Sequence, residues 1–252
     1  MLHGDYIGFV DSDDYIEKDM YKTLVDILEE NNADVSMVNF LPIYENYDYI
    51  KSGVDNQLYV FDRERALKES LLGNKIQDFA WNKLYKKELF NDIQYPVGKN
   101  FEDIDVLYRI LLKTNKVAFL NTCKYNYVQR ENSIIATESM KSMQDSLDIA
   151  AERYKILSNV SDMDIKKYNE FCYFRRVLIT FNTCIRLKYS KIVTNIYDDL
   201  EKLKSIYSNN FEFINAHLSK YYLDLYNLML LDRNIGIPEI GKLCNKSQKS
   251  KG

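Results

Sequence analysis

Turn-forming residues are scarce in this chain: 8 glycines and 3 prolines in 252 residues. So few of them point to long regular elements, mostly helical. Cysteine is also sparse. Cys123, Cys172, Cys184 and Cys244 are scattered, no two form a CxxC pair, and only His3 and His217 could assist them. That argues against a zinc site and leaves free thiols in a reducing compartment. No run of about 18 apolar residues exists, so nothing is expected to span a membrane. The start of the chain lacks the basic and apolar regions of a signal peptide, which places the protein in the cytoplasm, with peripheral association at the inner membrane face still open. Basic excess is absent too: the net charge is −3, against the positive field of a nucleic-acid binder. With 46% hydrophobic residues, disorder is excluded.

Tyrosine, by contrast, is abundant, at 21 residues. Such amphipathic rings suit a carbohydrate-handling surface. The joint abundance of Lys, Asn, Ile and Tyr points more strongly to a nucleotide-composition bias in the gene.

Along the chain, Tyr6-Ile-Gly-Phe-Val10 is a short, nearly continuous apolar run, as in strands buried on both faces of a parallel sheet. A helix is predicted over 17–30, with Met20, Leu24, Ile27 and Leu28 on one face, followed by a strand over 34–40. Strand, helix, strand is a βαβ unit, so the first half reads as α/β. Residues 44–56 read as a loop or exposed hairpin. Leu58 to Phe61 is a short strand, and Asp62 caps a helix that stops at Gly73. Residues 76–100 show no clear period apart from a short helix near 86–90. A helix resumes at Glu102 or Asp103, and Val117–Leu120 and Tyr125–Val128 read as a closing pair of strands. From about residue 138 the character changes: 140–157, 163–188, 192–207 and 211–232 all carry helical periodicity. The expected organisation is an α/β domain over 1–137 and an α-helical appendage over 138–252, with a frayed end after Asn245.

Two acidic sites carry chemistry. Asp11-Ser12-Asp13-Asp14 follows the first strand, where ligands bind in open parallel sheets. Two carboxylates one residue apart can share a hard divalent cation, and Mg²⁺ typically takes one or two of them plus phosphate oxygens. A solvated Asp-rich turn that caps the next helix is the plainer alternative. A calcium-binding helix–loop–helix register fails, since it would put Ile16 at the glycine position and Lys22 at the bidentate glutamate. The second site is Glu102-Asp103, in the first turn of a helix. The helix dipole alone would favour acids there. It would also lower a carboxylate's pKa, whereas a general base profits from a raised one.

Gly4-Asp-Tyr-Ile-Gly-Phe-Val-Asp-Ser-Asp-Asp-Tyr-Ile16 resembles the DxD segment of family 2 glycosyltransferases of the bacterial capsule and exopolysaccharide type. Trp81-Asn-Lys-Leu-Tyr-Lys-Lys-Glu-Leu-Phe90 is similar to the family's acceptor-side segment, Phe101-Glu-Asp103 to its ED motif, and Tyr127-Val-Gln-Arg-Glu-Asn-Ser-Ile134 to its closing stretch. Four segments in the family's order are far more specific than any one alone. The resemblance implies a GT-A fold, a mixed Rossmann-like sheet with flanking helices. It also implies inverting transfer from a UDP- or GDP-linked sugar to a saccharide or lipid-linked acceptor, assisted by Mg²⁺ or Mn²⁺. Asp11 would contact the donor and the metal, and Asp13 would be the principal metal ligand. Asp103 would be the general base. Trp81, Asn82 and Glu102 would line the acceptor side, and Arg130 would face the diphosphate. For Trp81 a plain core aromatic, and for Arg130 a surface ion pair, remain alternatives.

The family opens with a strand, a helix and a second strand that hold the base and ribose, while this chain begins just before the DxD strand. The expectation is a partial GT-A sheet with an exposed apolar edge, weak nucleotide-sugar binding and little transfer. Two other readings stay open. One is a non-catalytic remnant that keeps the acceptor surface. The other is a haloacid-dehalogenase-type phosphatase, whose strand-end aspartate pair Phe9-Val-Asp-Ser-Asp13 would match, although Tyr15 departs from that pattern.

Overall fold

The computed structural model describes residues 4–44, 53–129 and 139–231. Arg130, most of the 44–56 segment, the last part of the closing stretch, Cys244 and the terminal tail lie outside the described residues. The chain divides into two compact units: Met1–Gly98 with Glu102–Thr137, and Lys99–Phe101 with Glu138–Gly252.

The first unit is built on one mixed sheet. Its strands are β1 (Tyr6–Gly8), β2 (Tyr15–Ile16), β3 (Val35–Tyr44), β4 (Leu58–Asp62), β5 (Lys83–Lys86) and β6 (Lys116–Gln129). Their order is β1-β5-β3-β6-β2, with β4 beside the first half of β6. Among the described residues only β3 and β6 run parallel, and the other pairings are antiparallel. Helix α1 (Met20–Glu30) lays Met20, Leu24, Ile27 and Leu28 on the sheet, and Ser36 Oγ donates to Leu24 O at 2.7 Å to fix it there. Helix α2 (Arg63–Leu72) starts and stops as its end residues dictate. The Asp62 carboxylate accepts from Arg65 N, and Gly73 takes the left-handed conformation (φ 69°) that a side chain would resist. Helix α3 (Glu102–Lys113) buries Val106, Leu107, Tyr108, Ile110 and Leu111.

Three strand expectations need correction. β1 is not a parallel strand buried on both faces. It is three residues long and antiparallel to β5, and among the described residues it pairs with β5 alone. Its apolar run divides: Tyr6 packs on the α1 side, while Phe9 turns into a ring cluster with Tyr85, Phe90 and Tyr95. At Gly8 a Cβ would meet the Tyr21 ring at 2.4 Å, so the missing side chain lets helix α1 close on the strand. The proposed closing pair of strands is the single strand β6. Its register against β3 slips around Asn39, where Val38 faces Leu120 but Asn39 faces Cys123. This irregularity holds the polar stretch that made one strand read as two. Asn121 is satisfied within it, accepting from Asn39 at 2.7 Å and donating to Gly53 O at 2.7 Å. β5, finally, lies inside a segment that showed no period.

The second unit is helical. α4 (Met140–Leu157) opens with a reciprocal Ser139–Ser142 capping box. α5 (Met163–Arg186) is its central helix, burying Phe171, Phe174, Leu178 and Phe181. Asn100 joins this unit by donating from its backbone and side chain to Asp145, at 3.0 and 2.7 Å. The two remaining predicted helices are four: α6 (Ser190–Asp198), α7 (Leu200–Asn209), α8 (Phe211–His217) and α9 (Lys220–Met229). The breaks fall at Asp199, Asn210 and Leu218-Ser219, and at Asn210 the side-chain amide donates to Ile206 O at 3.0 Å. No helix among the described residues is long and apolar enough to cross a membrane.

Candidate active site

The acidic loop leaves the carboxyl end of β1, and its three aspartates differ in role. Asp14 is structural. One carboxylate oxygen accepts from the Tyr125 hydroxyl at 2.7 Å, the other from Val128 N at 2.8 Å, and its own N–H donates to Asp11 O. The Tyr125 oxygen in turn accepts from Asp11 N at 3.1 Å. Burial and the Asp14 carboxylate hold the Tyr125 phenol far above its ordinary range, so it stays a donor. β6 therefore pins the loop, and Asp11 and Asp13 stand exposed at its tip. Partial desolvation, then the charges of Asp14, Asp13 and Glu102, push the Asp11 carboxyl above the usual carboxylate range.

Glu102 and Asp103 open α3, directly after Phe101, whose backbone is left-handed (φ 61°) although it carries a side chain. Such a conformation costs on the order of 1–3 kcal/mol and persists where the surroundings impose it. Neighbouring Asp105 is committed to an ion pair with Arg109 at 3.1 Å. Asp103 is half-buried and accepts from Ala80 N at 3.3 Å. Its carboxyl is pushed up to about 6, by burial first and then by the Glu102 charge. Asp11 adds to the rise, and the Ala80 N–H and Lys83 oppose it. Burial and like charge thus set the direction of the shift. Since Asp11 acts on Asp103 and Glu102 acts on Asp11, the acidic loop and the α3 start share one field. Such coupling reaches on the order of 10 Å. Asp13 joins the group through Asp11.

Trp81 and Asn82 are core residues. The Trp81 indole stacks on Phe79, Tyr125 and Tyr127, with centroids 4.7, 4.2 and 5.4 Å away, and meets Phe40 edge-on at 5.1 Å. Asn82 is 2% exposed and donates to Val38 O at 2.9 Å. They support the floor beneath the acidic groups through Tyr125 and β3. Sequence reasoning did not single out Asp14, Tyr125, Tyr95 or Lys83. Three aspartates within four residues look alike in sequence, and nothing local marks the others. Tyr95 has its phenol pushed up by burial and by the charges of Asp103 and Glu102, which places it beside them.

A divalent cation fits this donor set in one particular way. Among the described residues no three His, Cys, Asp or Glu side chains converge on one point. Asp11 and Asp13 would hold the ion from one side, leaving its other positions to phosphate oxygens and water, as Mg²⁺ prefers. Its charge would relieve the repulsion that raises Asp11.

Residues 1–94 match the family model described as Glycosyl transferase family 2. The glycosyltransferase GlyG of Streptococcus pneumoniae is 32% identical over 148 residues, covering 54% of this chain and 47% of that protein. The glycosyltransferase GlyA of the same organism is 30% identical over 166 residues, covering 63% of this chain and 24% of that protein. The chain thus spans less than half the length of these two relatives. Among solved structures, the 1–349 portion of Staphylococcus aureus TarS in complex with UDP-GlcNAc superposes with a TM-score of 0.65 at 17% identity. That match covers 99% of this chain and 69% of the TarS portion. The mixed sheet with flanking helices is that fold, and the acidic loop lies inside the matched stretch. Residues 1–94 thus match the family 2 glycosyltransferase model, and the sheet they help to build is of GT-A fold.

Proposed function

We propose that this domain transfers a sugar, with inversion, from a UDP-linked donor to a hydroxyl of a saccharide or lipid-linked acceptor in cell-surface polysaccharide synthesis, at the cytoplasmic side of the membrane. Residues 1–137 form the catalytic part and 138–252 a helical appendage. UDP is preferred to GDP because the TarS structure of the same fold holds UDP-GlcNAc. The observation that carries the reading is the half-buried Asp103 carboxyl, raised to about 6 opposite the acidic loop.

A base of that strength is mostly ionised at neutral pH yet still takes up a proton readily. Asp103 accepts the acceptor's hydroxyl proton while the acceptor oxygen bonds to the anomeric carbon. The bond from that carbon to the diphosphate oxygen breaks on the opposite face, and the nucleoside diphosphate leaves with its electron pair. The Ala80 N–H holds one Asp103 oxygen so that the other is free to receive the proton. Asp11 and Asp13 would hold Mg²⁺ or Mn²⁺, which would neutralise charge on the leaving diphosphate. Glu102 keeps Asp103 basic from beside it, and Arg130 is assigned to the diphosphate.

Titration calorimetry with UDP-sugars and Mn²⁺ tests the two halves separately. Asp13→Ala is expected to abolish the metal-dependent part of binding. Asp103→Asn should leave it within about twofold and remove transfer, since the carboxylate acts mainly on the reacting hydroxyl. Metal-independent binding that ignores Asp13, or transfer that ignores Asp103, refutes the assignment and favours a non-catalytic binding module.

A further inference from the structure

Lys83 is the most deeply placed charge among the described residues of the first unit, 1% exposed on β5. An ammonium carries three donors and no acceptor. Here all three find oxygen: Gln77 O at 2.7 Å, Phe79 O at 2.5 Å and Asn82 Oδ1 at 2.8 Å. These partners bracket Ala80, whose N–H is the one that donates to Asp103. The same turn carries Phe79 and Trp81 into the aromatic stack. A buried cation costs far more than an apolar side chain of equal length unless it is fully paired, so its presence calls for a role beyond packing.

Resting on the reading of Asp103 as the base, we infer that Lys83 is a positioning residue: its ammonium ties the 77–82 turn into one conformation, thereby aims the Ala80 N–H at the Asp103 carboxylate, and places a positive charge behind the base. The groups facing Asp103 are Glu102 on its own helix, Asp11 from the acidic loop, Tyr95 from the segment before α3, and Tyr85 and Lys83 from β5. Only Lys83 among them is cationic. Burial pushes the Lys83 ammonium down to about 7, with Asp78 and Asp103 opposing the fall, so it is still mostly protonated where Asp103 titrates, and three oxygens accept from it.

The test is the carboxyl titration of Asp103, followed by ¹³C NMR in the full chain and assigned by its loss in Asp103→Asn. Wild type is compared with Lys83→Met and with Lys83→Gln, which keeps a donor but no charge. Both variants should raise the Asp103 midpoint by roughly half a pH unit or more, because an opposite charge and a hydrogen bond to the ionised form are weakened together. In the transfer assay the acidic limb of kcat should move upward with that midpoint, and kcat at neutral pH should fall on the order of tenfold with KM little changed. An unmoved midpoint in folded variants overturns the inference. So does loss of the folded state in both variants, which would make Lys83 a folding residue rather than a positioning one. If Asp103→Asn transfers sugar as wild type does, the reading of Asp103 as base falls, while the titration in wild type still decides whether Lys83 sets that carboxyl.

Discussion

Replacing Asp103 by asparagine should stabilise the protein at neutral pH while it disables the site. The folded-state pKa of Asp103 is raised, from 3.8 to about 6, so the folded protein prefers the neutral acid. For a group shifted in that direction, the stabilising contribution is fully present below pH 3.8 and is lost as pH rises through about 6. The shift corresponds to about 3 kcal/mol of penalty once the carboxylate is fully ionised. Asparagine keeps an oxygen for the Ala80 N–H and never ionises, so it escapes the penalty. Urea denaturation of both proteins with metal removed, near pH 4 and near pH 7.5, gives the stability difference at each pH. That difference should move in favour of Asp103→Asn by about 2 kcal/mol between the two, since part of the penalty is already present at the lower pH. Comparing two pH values cancels whatever the substitution does to packing. A difference independent of pH would show that Asp103 is not held as a strained carboxylate, and the case for it as a tuned base would fail.

Other consequences can be read on the same preparations. Transfer should rise with pH along a limb centred at about 6, the pKa of Asp103, and a limb near 4 would indicate an unperturbed carboxylate instead. Trp81→Ala should cost about 3–5 kcal/mol in chemical denaturation, as for a buried indole in an aromatic stack, and a loss under 1 kcal/mol would place Trp81 at the surface. Asp14→Ala should cost about 1–3 kcal/mol by stranding the Tyr125 hydroxyl and the Val128 N–H, and should also weaken metal-dependent nucleotide-sugar binding, because the loop tip loses its anchor. Binding unaffected by Asp14→Ala would mean that the loop needs no anchoring by β6.

Elements with strong local signals were legible in the sequence. α2 announces both ends through Asp62 and Gly73, and α1 and α3 through apolar faces that match their buried residues. Pairing partners were not legible. Tyr6 to Val10 is apolar whether its strand is central or at an edge, and only the fold shows it antiparallel to β5. β5 itself, Lys83-Leu-Tyr-Lys86, carries lysines at both ends and hides its first one in the core, so no alternation marks it. The helical unit was over-joined because Asp199 and Leu218 interrupt a periodicity that continues on either side. At the candidate site, the residue types of Asp11, Asp13 and Asp103 drew attention. Their shared field, and the division of labour that makes Asp14 an anchor, depend on contacts between positions far apart in the sequence, such as Asp14 with Tyr125 and Val128.

Anomeric configuration is the most direct test of an inverting transfer driven by Asp103. With the chain in excess over a UDP-sugar, Mn²⁺ present, and either a saccharide panel or water as acceptor, early-time proton NMR reads the configuration of the new bond. The account predicts product of inverted configuration from wild type and none from Asp103→Asn. Retained configuration, or equal product from the two proteins, would contradict it.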